Sequence, residues 1–383
     1  MKRRILATVA AIALMAAPLV GSAYAADPPQ GPATPGTVVS VTDLPRALWV
    51  AGTGRAYRVT YRTTDSLGHP ALSSGAVFVP EGKAPEGGWP VVSWTHGTVG
   101  LDDSCAPSTA GRSQRDMTYL ATWMSQGYAV VSTDYIGLGT PGVHAYLDGR
   151  AEGQAAVDMV RAGRAVDGAL SRKWVAIGQS QGGQAALVTA SLATRYGPEL
   201  DYRGAVATGP ASNIVSVATL LVGPLTPDVV GPATVAYFAY IFRGLQAARP
   251  DFDMADYLSP LGAEVVADAE RLCYADLERR VEDVELRQLL RKPLGLGDFG
   301  RTAHPVMDVP VSGYDRPFFI GQGTADQDVP APLNWKLAAD LTLNGQKFTF
   351  RSYDGADHSA TMTASLPDTI PFVRDLFAGP PAA

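Results

Sequence analysis

The feature that most constrains the fold is a change of pattern after Gly88, where short apolar runs begin to alternate with segments of helical periodicity. Near-continuous apolar strands separated by helices are typical of a parallel sheet that is covered on both faces. We therefore predict an α/β fold with a mostly parallel, doubly wound sheet. The strand candidates are WPVVSWTHG, YAVVSTDY, KWVAIGQS and YRGAVATGP, and the helices between them fall near 112–126, 151–169 and 181–196.

This alternation stops for about a hundred residues and then returns. Helical candidates at 233–248, 262–272 and 275–291 fill the gap, and the strands RPFFIGQGTAD and KFTFRSYDGADH resume the pattern with helices at 332–343 and 366–377. One core fits better than a separate C-terminal domain, because the strands on both sides of the insert are needed to cover the helices. The prediction is an α/β core at 41–210 and 316–383, with a helical cap inserted at 211–315. An antiparallel hairpin at 54–62 and 71–79 is expected to precede the parallel strands.

The N-terminus has the pattern of an export signal. Three cations at positions 2–4 precede an apolar run from Ile5 to Val20, and Ala-Tyr-Ala then supplies small residues for a signal peptidase. A membrane anchor is the alternative, but the run is short for a span and contains Pro18. We predict a signal peptide at 1–25 that is cleaved after Ala25, a flexible Pro/Gly-rich leader at 26–40 and an extracellular protein.

Charge and cysteine content narrow the function further. The formal net charge is −6 and no basic run follows the first four residues, so nucleic-acid binding is not expected. Cys105 and Cys273 are the two cysteines, and an even count in an exported chain favours a disulfide. Two unrelated buried thiols remain the alternative, since sequence shows neither burial nor proximity.

A nucleophile motif lies at the junction of a strand and a helix. Gly178-Gln-Ser180-Gln-Gly182 fits G-x-S-x-G, which requires that context. Such pentapeptides also arise by chance in glycine-rich chains, but here both flanks are correct. A sharp turn would expose Ser180 at the carboxyl edge of the sheet, beside a helix N-terminus that favours a developing oxyanion.

A serine nucleophile needs a base and an orienting acid, which follow in the order Ser, Asp, His in this type of fold. Asp326 comes first after the Gly-x-Gly turn of its strand, so we prefer it to Asp328 and Asp354. His358 is the one histidine of five that follows the acid. A solvated loop histidine is the alternative reading for His358.

Two backbone amides are candidates for the oxyanion hole. The segment SWTHGT ends the first parallel strand, where such folds place the second donor, so we predict the N–H groups of Thr98 and Gln181. His96 would support this loop, and a simple strand-ending turn at Gly97 is the alternative. The cap aromatics have two open uses, lining an acyl pocket or packing the core; they are Tyr237, Phe238, Tyr240 and Phe242.

No sequence pattern calls for a cofactor. The chain contains no Walker-type glycine loop, no H-E-x-x-H and no pair of C-x-x-C motifs. We therefore expect neither a cofactor nor a metal ion in the chemistry.

At this point the chain resembles the α/β-hydrolase superfamily, and within it the secretory lipase family of fungi and actinobacteria. The resemblance rests on WTHGTVG, CAPS, TDYIGLGTPG, GQSQGG, DQDVP and His358. It implies a triad of Ser180, Asp326 and His358, a helical cap between the sixth and seventh superfamily strands, and hydrolysis of carboxylic esters that include acylglycerols. It also implies a bridge from the CAPS loop to the cap, which suits Cys105 with Cys273.

The expected protein is a secreted serine esterase or lipase that works through an acyl-enzyme on Ser180. Its partners would be small-molecule or lipid esters, with transient contact to a lipid interface and no obligate protein partner. A secreted serine exopeptidase is the nearest enzymatic alternative, because one triad serves both bond types. A binding protein without turnover is the alternative of another class.

Overall fold

The computed structural model describes residues 34–227 and 230–379. The predicted signal peptide at 1–25 lies outside these residues. Within the described part, no helix is long and apolar enough to cross a membrane.

One nine-stranded sheet organises the chain, with the strand order β1-β2-β3-β5-β4-β6-β7-β8-β9. The strands are β1 Val38–Asp43, β2 Thr53–Thr64, β3 Pro70–Pro80, β4 Trp89–Thr95, β5 Ala129–Ile136, β6 Leu170–Gln179, β7 Asp201–Thr208, β8 Phe318–Gly323 and β9 Thr349–Tyr353. The first three strands pair antiparallel, and every pair among β4 to β9 is parallel. The carboxyl ends of six strands therefore meet at one edge, which is where this topology places functional loops.

Helices cover both faces of the sheet, which confirms the doubly wound prediction. The helices are α1 Pro107–Ala110, α2 Gln114–Ser125, α3 Gly149–Val166, α4 Gln181–Tyr196, α5 Ile214–Leu221, α6 Pro232–Ala248, α7 Pro260–Ala269, α8 Tyr274–Arg280, α9 Phe299–Met307, α10 Ala331–Leu343, α11 Ala360–Ala364 and α12 Leu366–Ala378. Apolar residues of α3, α4 and α10 pack in one core cluster, and those of α2 and α12 pack in another. Successive side chains of each strand point to opposite faces of the sheet, so the strands contribute residues to both clusters.

The helices α5 to α9 lie between β7 and β8 and form the inserted cap. They share a core cluster of their own, which includes Phe242, Leu277 and Phe299. The cap is therefore packed around its own apolar interior and also contacts the loops at the carboxyl edge of the sheet.

Two predicted boundaries were wrong. The leader prediction extended to residue 40, but β1 begins at Val38, because the backbone there pairs with β2; Gly36 donates from its N–H to the Arg62 carbonyl at 2.7 Å. The continuous helix predicted at 275–291 ends at Arg280. Its second half bends towards α7, where Leu290 forms a β-bridge with Leu258, so tertiary pairing overrides helix propensity.

A disulfide joins the core to the cap, as predicted. Cys105 and Cys273 are bonded across a separation of 168 residues. The same place carries backbone contacts, because Gly100 forms a β-bridge with Cys273 and the Tyr274 N–H donates to the Val99 carbonyl at 2.9 Å. The start of α8 is thus fixed to the loop that follows β4.

Removing this bridge should destabilise the protein. We expect the double variant Cys105→Ser, Cys273→Ser to lose about 2–5 kcal/mol in the free energy of unfolding, because a cross-link over a long loop restricts the unfolded chain. Denaturant titration of the two proteins measures the difference. Reduced wild-type protein is the matched control and should behave like the variant; equal unfolding free energies with and without the bridge would contradict the prediction.

Candidate active site

The residue at the centre of the site is Ser180, which lies in the turn between β6 and α4. Its backbone has φ 60° and ψ −123°, a conformation that costs energy in a non-glycine residue. A Cβ on Gly178 would lie 2.0 Å from the Gly182 carbonyl oxygen, and one on Gly182 would lie 1.9 Å from the Thr95 carbonyl oxygen. The two glycines of G-x-S-x-G are therefore sterically required, because they let the turn pass β4 closely.

The base and the acid lie side by side. His358 Nδ1 is 2.7 Å from Asp326 Oδ2, and the two residues are 7% and 5% exposed. The other carboxylate oxygen, Oδ1, accepts from the N–H groups of Asp328 at 3.0 Å and Val329 at 2.8 Å. These bonds hold the carboxylate in the orientation that a triad acid needs.

The two competing acids have other partners. Asp328 Oδ1 accepts from the Tyr237 hydroxyl at 3.3 Å, and Asp354 Oδ1 accepts from the Thr324 hydroxyl at 3.1 Å. Within the described residues, Asp326 is thus the carboxylate that the structure bonds to His358.

Ser180 and His358 face one cavity. With Nδ1 donating to Asp326, Nε2 of His358 carries the lone pair, and this buried atom has no hydrogen-bond partner among the described residues. Both side chains line a cavity of about 380 Å³. Gly209, at φ 49°, makes room for the pair, because a Cβ there would lie 3.1 Å from both Asp326 Oδ2 and His358 Nδ1.

Of the two predicted oxyanion donors, Thr98 lies at this cavity and Gln181 follows Ser180 directly in the chain. The Thr98 hydroxyl is 2.6 Å from the Tyr146 hydroxyl. Gln181 is the first residue of α4, where backbone N–H groups lack helical partners. His96 lies behind the loop with Nδ1 at 2.7 Å from the Gly97 carbonyl, and burial lowers the pKa of His96 so that it stays neutral.

Sequence reasoning missed the residues that surround Gln181. Its buried side chain contacts His144, in the loop between β5 and α3, and Glu152, in the first turn of α3. Burial lowers the pKa of His144 to about 3 and raises that of Glu152 well above its usual range. Both residues are 2% exposed or less, so a polar pair lies in the interior beside the turn that carries Ser180.

Ser180 also lines a second, apolar chamber of about 350 Å³. Its walls come mainly from the cap and from the start of α10, including Ile214, Leu221, Phe238 and Ile241. The cap aromatics therefore serve both of the uses that the sequence left open. Tyr237 and Phe238 line the chamber, and Phe238 also belongs to the cap core with Tyr240 and Phe242.

Known proteins are similar to this chain in sequence. The model of the secretory lipase family matches residues 105–280. A secreted triacylglycerol lipase of Malassezia furfur is 25% identical over 91% of this chain and 76% of its own length. A Mycobacterium tuberculosis protein named a probable inactive lipase is 25% identical over 92% of this chain and 81% of its own length.

Solved structures agree on the fold. Candida antarctica lipase A in its closed state has a TM-score of 0.73 at 22% identity and covers 91% of this chain and 84% of its own. The rice cell wall degrading esterase of Xanthomonas oryzae has a TM-score of 0.69 at 19% identity and covers 89% of this chain and 98% of its own. These similarities show the fold, and the chemistry of this chain depends on its own residues.

Proposed function

We propose that this chain, which has the α/β-hydrolase fold and resembles the secretory lipases, hydrolyses carboxylic esters through an acyl-enzyme on Ser180. The observation that carries the proposal is the 2.7 Å contact between His358 and Asp326 beside a cavity that Ser180 also lines. An imidazole that one carboxylate orients, with its second nitrogen able to accept a proton from a serine hydroxyl, is the arrangement that activates a nucleophile.

The proposed reaction has two halves. His358 Nε2 takes the hydroxyl proton while Ser180 Oγ bonds to the ester carbonyl carbon, and the oxyanion accepts from the Thr98 and Gln181 N–H groups. The bond to the alcohol oxygen then breaks, and His358 returns the proton to that oxygen. Water repeats the sequence on the acyl-enzyme, which releases the carboxylic acid and restores Ser180.

The two chambers suggest how an ester lies in the site. The chamber of about 350 Å³ is apolar and fits the acyl chain, whereas the chamber of about 380 Å³ includes Thr98, Arg112, Arg115 and His358 and fits the alcohol group and water. Ser180 belongs to both linings, so the scissile bond would lie at their junction. This division supports substrates with an apolar acid and a polar alcohol, as in acylglycerols.

Contact with a lipid surface is part of the proposal. Leu220 and Leu225 are 81% and 94% exposed, and the neighbouring Leu221 is exposed while it also lines the apolar chamber. An apolar rim at the mouth of an acyl chamber fits transient contact with lipid. The predicted signal peptide and the secretory relatives support an extracellular site of action.

We expect p-nitrophenyl esters from acetyl to palmitoyl to be hydrolysed by the mature protein, with activity extending to long chains because the acyl chamber is apolar. The measurement is kcat/KM along the series, with dissolved and emulsified substrate compared at the long end. Matched p-nitroanilides are the control for the exopeptidase alternative.

The results of this series distinguish an esterase from a peptidase and from a non-catalytic protein. Ester turnover that greatly exceeds amide turnover supports the esterase, and a preference for emulsions supports lipid contact. Preferred anilide cleavage would favour the peptidase. No turnover of any substrate would overturn the proposal and leave a non-catalytic protein, as the name of the mycobacterial relative suggests for that protein.

A further inference from the structure

The segment between β5 and α3 reaches both sides of the oxyanion hole. This segment, residues 137–148, is called here the β5–α3 loop. Tyr135, just before it, and Leu147, near its end, have φ angles of 71° and 61°, which are costly for residues with a Cβ. Backbone strain of this kind persists only where surrounding contacts hold it, and it is concentrated at functional sites.

The first set of contacts holds the Gln181 side chain. Gln181 Nε2 lies 2.8 Å from His144 Nε2 and 2.7 Å from Glu152 Oε1, so both amide protons have an acceptor. Glu152 Oε1 also accepts from the Leu147 N–H at 3.1 Å. The amide is therefore fixed in one orientation by two acceptors, one in the β5–α3 loop and one in α3.

The loop also fixes which nitrogen of His144 accepts. His144 Nδ1 lies 3.0 Å from the Ile136 carbonyl oxygen, which can only accept, so Nδ1 carries the proton. Nε2 is then free to accept from Gln181. Stacking holds the ring plane, because Tyr135 lies parallel to His144 at 5.5 Å between ring centroids.

The second set of contacts reaches the loop after β4. The Tyr146 hydroxyl is 2.6 Å from the Thr98 hydroxyl, and the Tyr135 hydroxyl donates to the His96 carbonyl at 3.0 Å. One segment thus holds the two residues whose N–H groups are assigned to the oxyanion.

We infer that His144 and Glu152 are positioning residues that fix Gln181, and through it the backbone N–H that stabilises the oxyanion. The inference rests on the proposed function. Gln181 is the first residue of α4, so the contacts that fix its side chain also restrain the Cα that carries the backbone N–H. Loss of either acceptor leaves one Nε2 proton without a partner in a dry environment, and the residue must turn to satisfy it.

This role predicts an effect on the transition state more than on substrate binding. A displaced donor weakens an interaction that is strongest with the oxyanion, so kcat falls while KM changes little. Oxyanion donors are worth about 10²–10³ in rate, and a loosened donor should lose part of this, about 10–100-fold.

The experiment uses variants at three positions of the full-length mature protein. His144→Phe removes the acceptor in the loop, and Gln181→Met removes the amide that both acceptors bind. Either variant tests the inference if the other does not fold. His144→Gln and Glu152→Gln restore an acceptor near the original atom and should recover most of the activity. His304→Phe, on the exposed face of α9, is the matched control and should keep wild-type kcat.

The readouts are kcat per active site, with sites titrated by a fluorophosphonate, and the dissociation constant of a boronic acid that mimics the tetrahedral intermediate. We expect both to worsen by about the same factor in His144→Phe, and the double variant with Gln181→Met to lose no more than the single variants. A lower titrated fraction with unchanged kcat per site would show a structural role alone and overturn the inference. Wild-type protein without Ser180-dependent turnover would overturn the proposed function, and this inference with it.

Discussion

Replacing Ser180 by alanine should lower kcat for p-nitrophenyl butyrate by about 10⁴–10⁶-fold, because nucleophile, base and acid act as one unit and the remaining site stabilises only the oxyanion. The fold should persist, since the substitution removes one oxygen at the wall of a cavity and keeps the backbone strain that the turn already carries. Circular dichroism and thermal melting measure the fold, and stopped-flow hydrolysis measures the rate. The variant should also fail to react with a fluorophosphonate.

A serine away from the site separates this effect from a general one. Ser125, at the exposed end of α2, contacts Thr122 of its own helix, so Ser125→Ala should keep wild-type turnover and labelling. Turnover that is undiminished in Ser180→Ala, or a label that still attaches, would assign the reaction to another residue.

The variant Asp326→Asn should lower kcat by about 10⁴-fold with little change in KM. An asparagine amide at this position would donate towards His358 Nδ1 and so favour the tautomer with the proton on Nε2, which cannot accept from Ser180. Because asparagine is as large as aspartate, the loss of kcat measures the effect of the His358 tautomer and of the charge at position 326. Activity measured across pH, with KM and kcat separated, tests the prediction.

The competing acids provide the matched controls. Asp354→Asn changes an exposed carboxylate bonded to Thr324 and should leave kcat unchanged. Asp328→Asn should have a much smaller effect than Asp326→Asn, because the Asp328 carboxylate faces the Tyr237 hydroxyl. A larger loss at position 328 or 354 than at 326 would reassign the acid.

Much of the fold could be predicted because the deciding signals are local. Strand and helix periodicity depend on neighbouring residues, and G-x-S-x-G marks a turn whose steric needs appear directly in Gly178 and Gly182. The order Ser180, Asp326, His358 follows from the sheet topology, since each residue comes after its own parallel strand. The topology thus explains why residues far apart in sequence could be grouped as candidates.

The remainder depended on contacts between distant segments. Histidine and glutamate are ordinary surface residues by composition, and nothing in the sequence indicates that His144 in the β5–α3 loop and Glu152 in α3 are buried beside Gln181. A contact between distant segments also explains why the cap helix α8 ends at Arg280. Its residues favour a continuous helix, but Leu290 pairs with Leu258 across the cap.

The position of β9 has a consequence for how the molecule loses activity. This strand is the last in the sheet order, is five residues long and is at least partly exposed along its length. Among the described strands it pairs with β8 alone. Edge elements of this kind open locally at a lower free energy than the central strands. Since His358 follows β9, partial opening at this edge separates the base from Asp326 while β4 to β7 stay folded. Inactivation under mild denaturant therefore reports local opening at one edge, ahead of global unfolding.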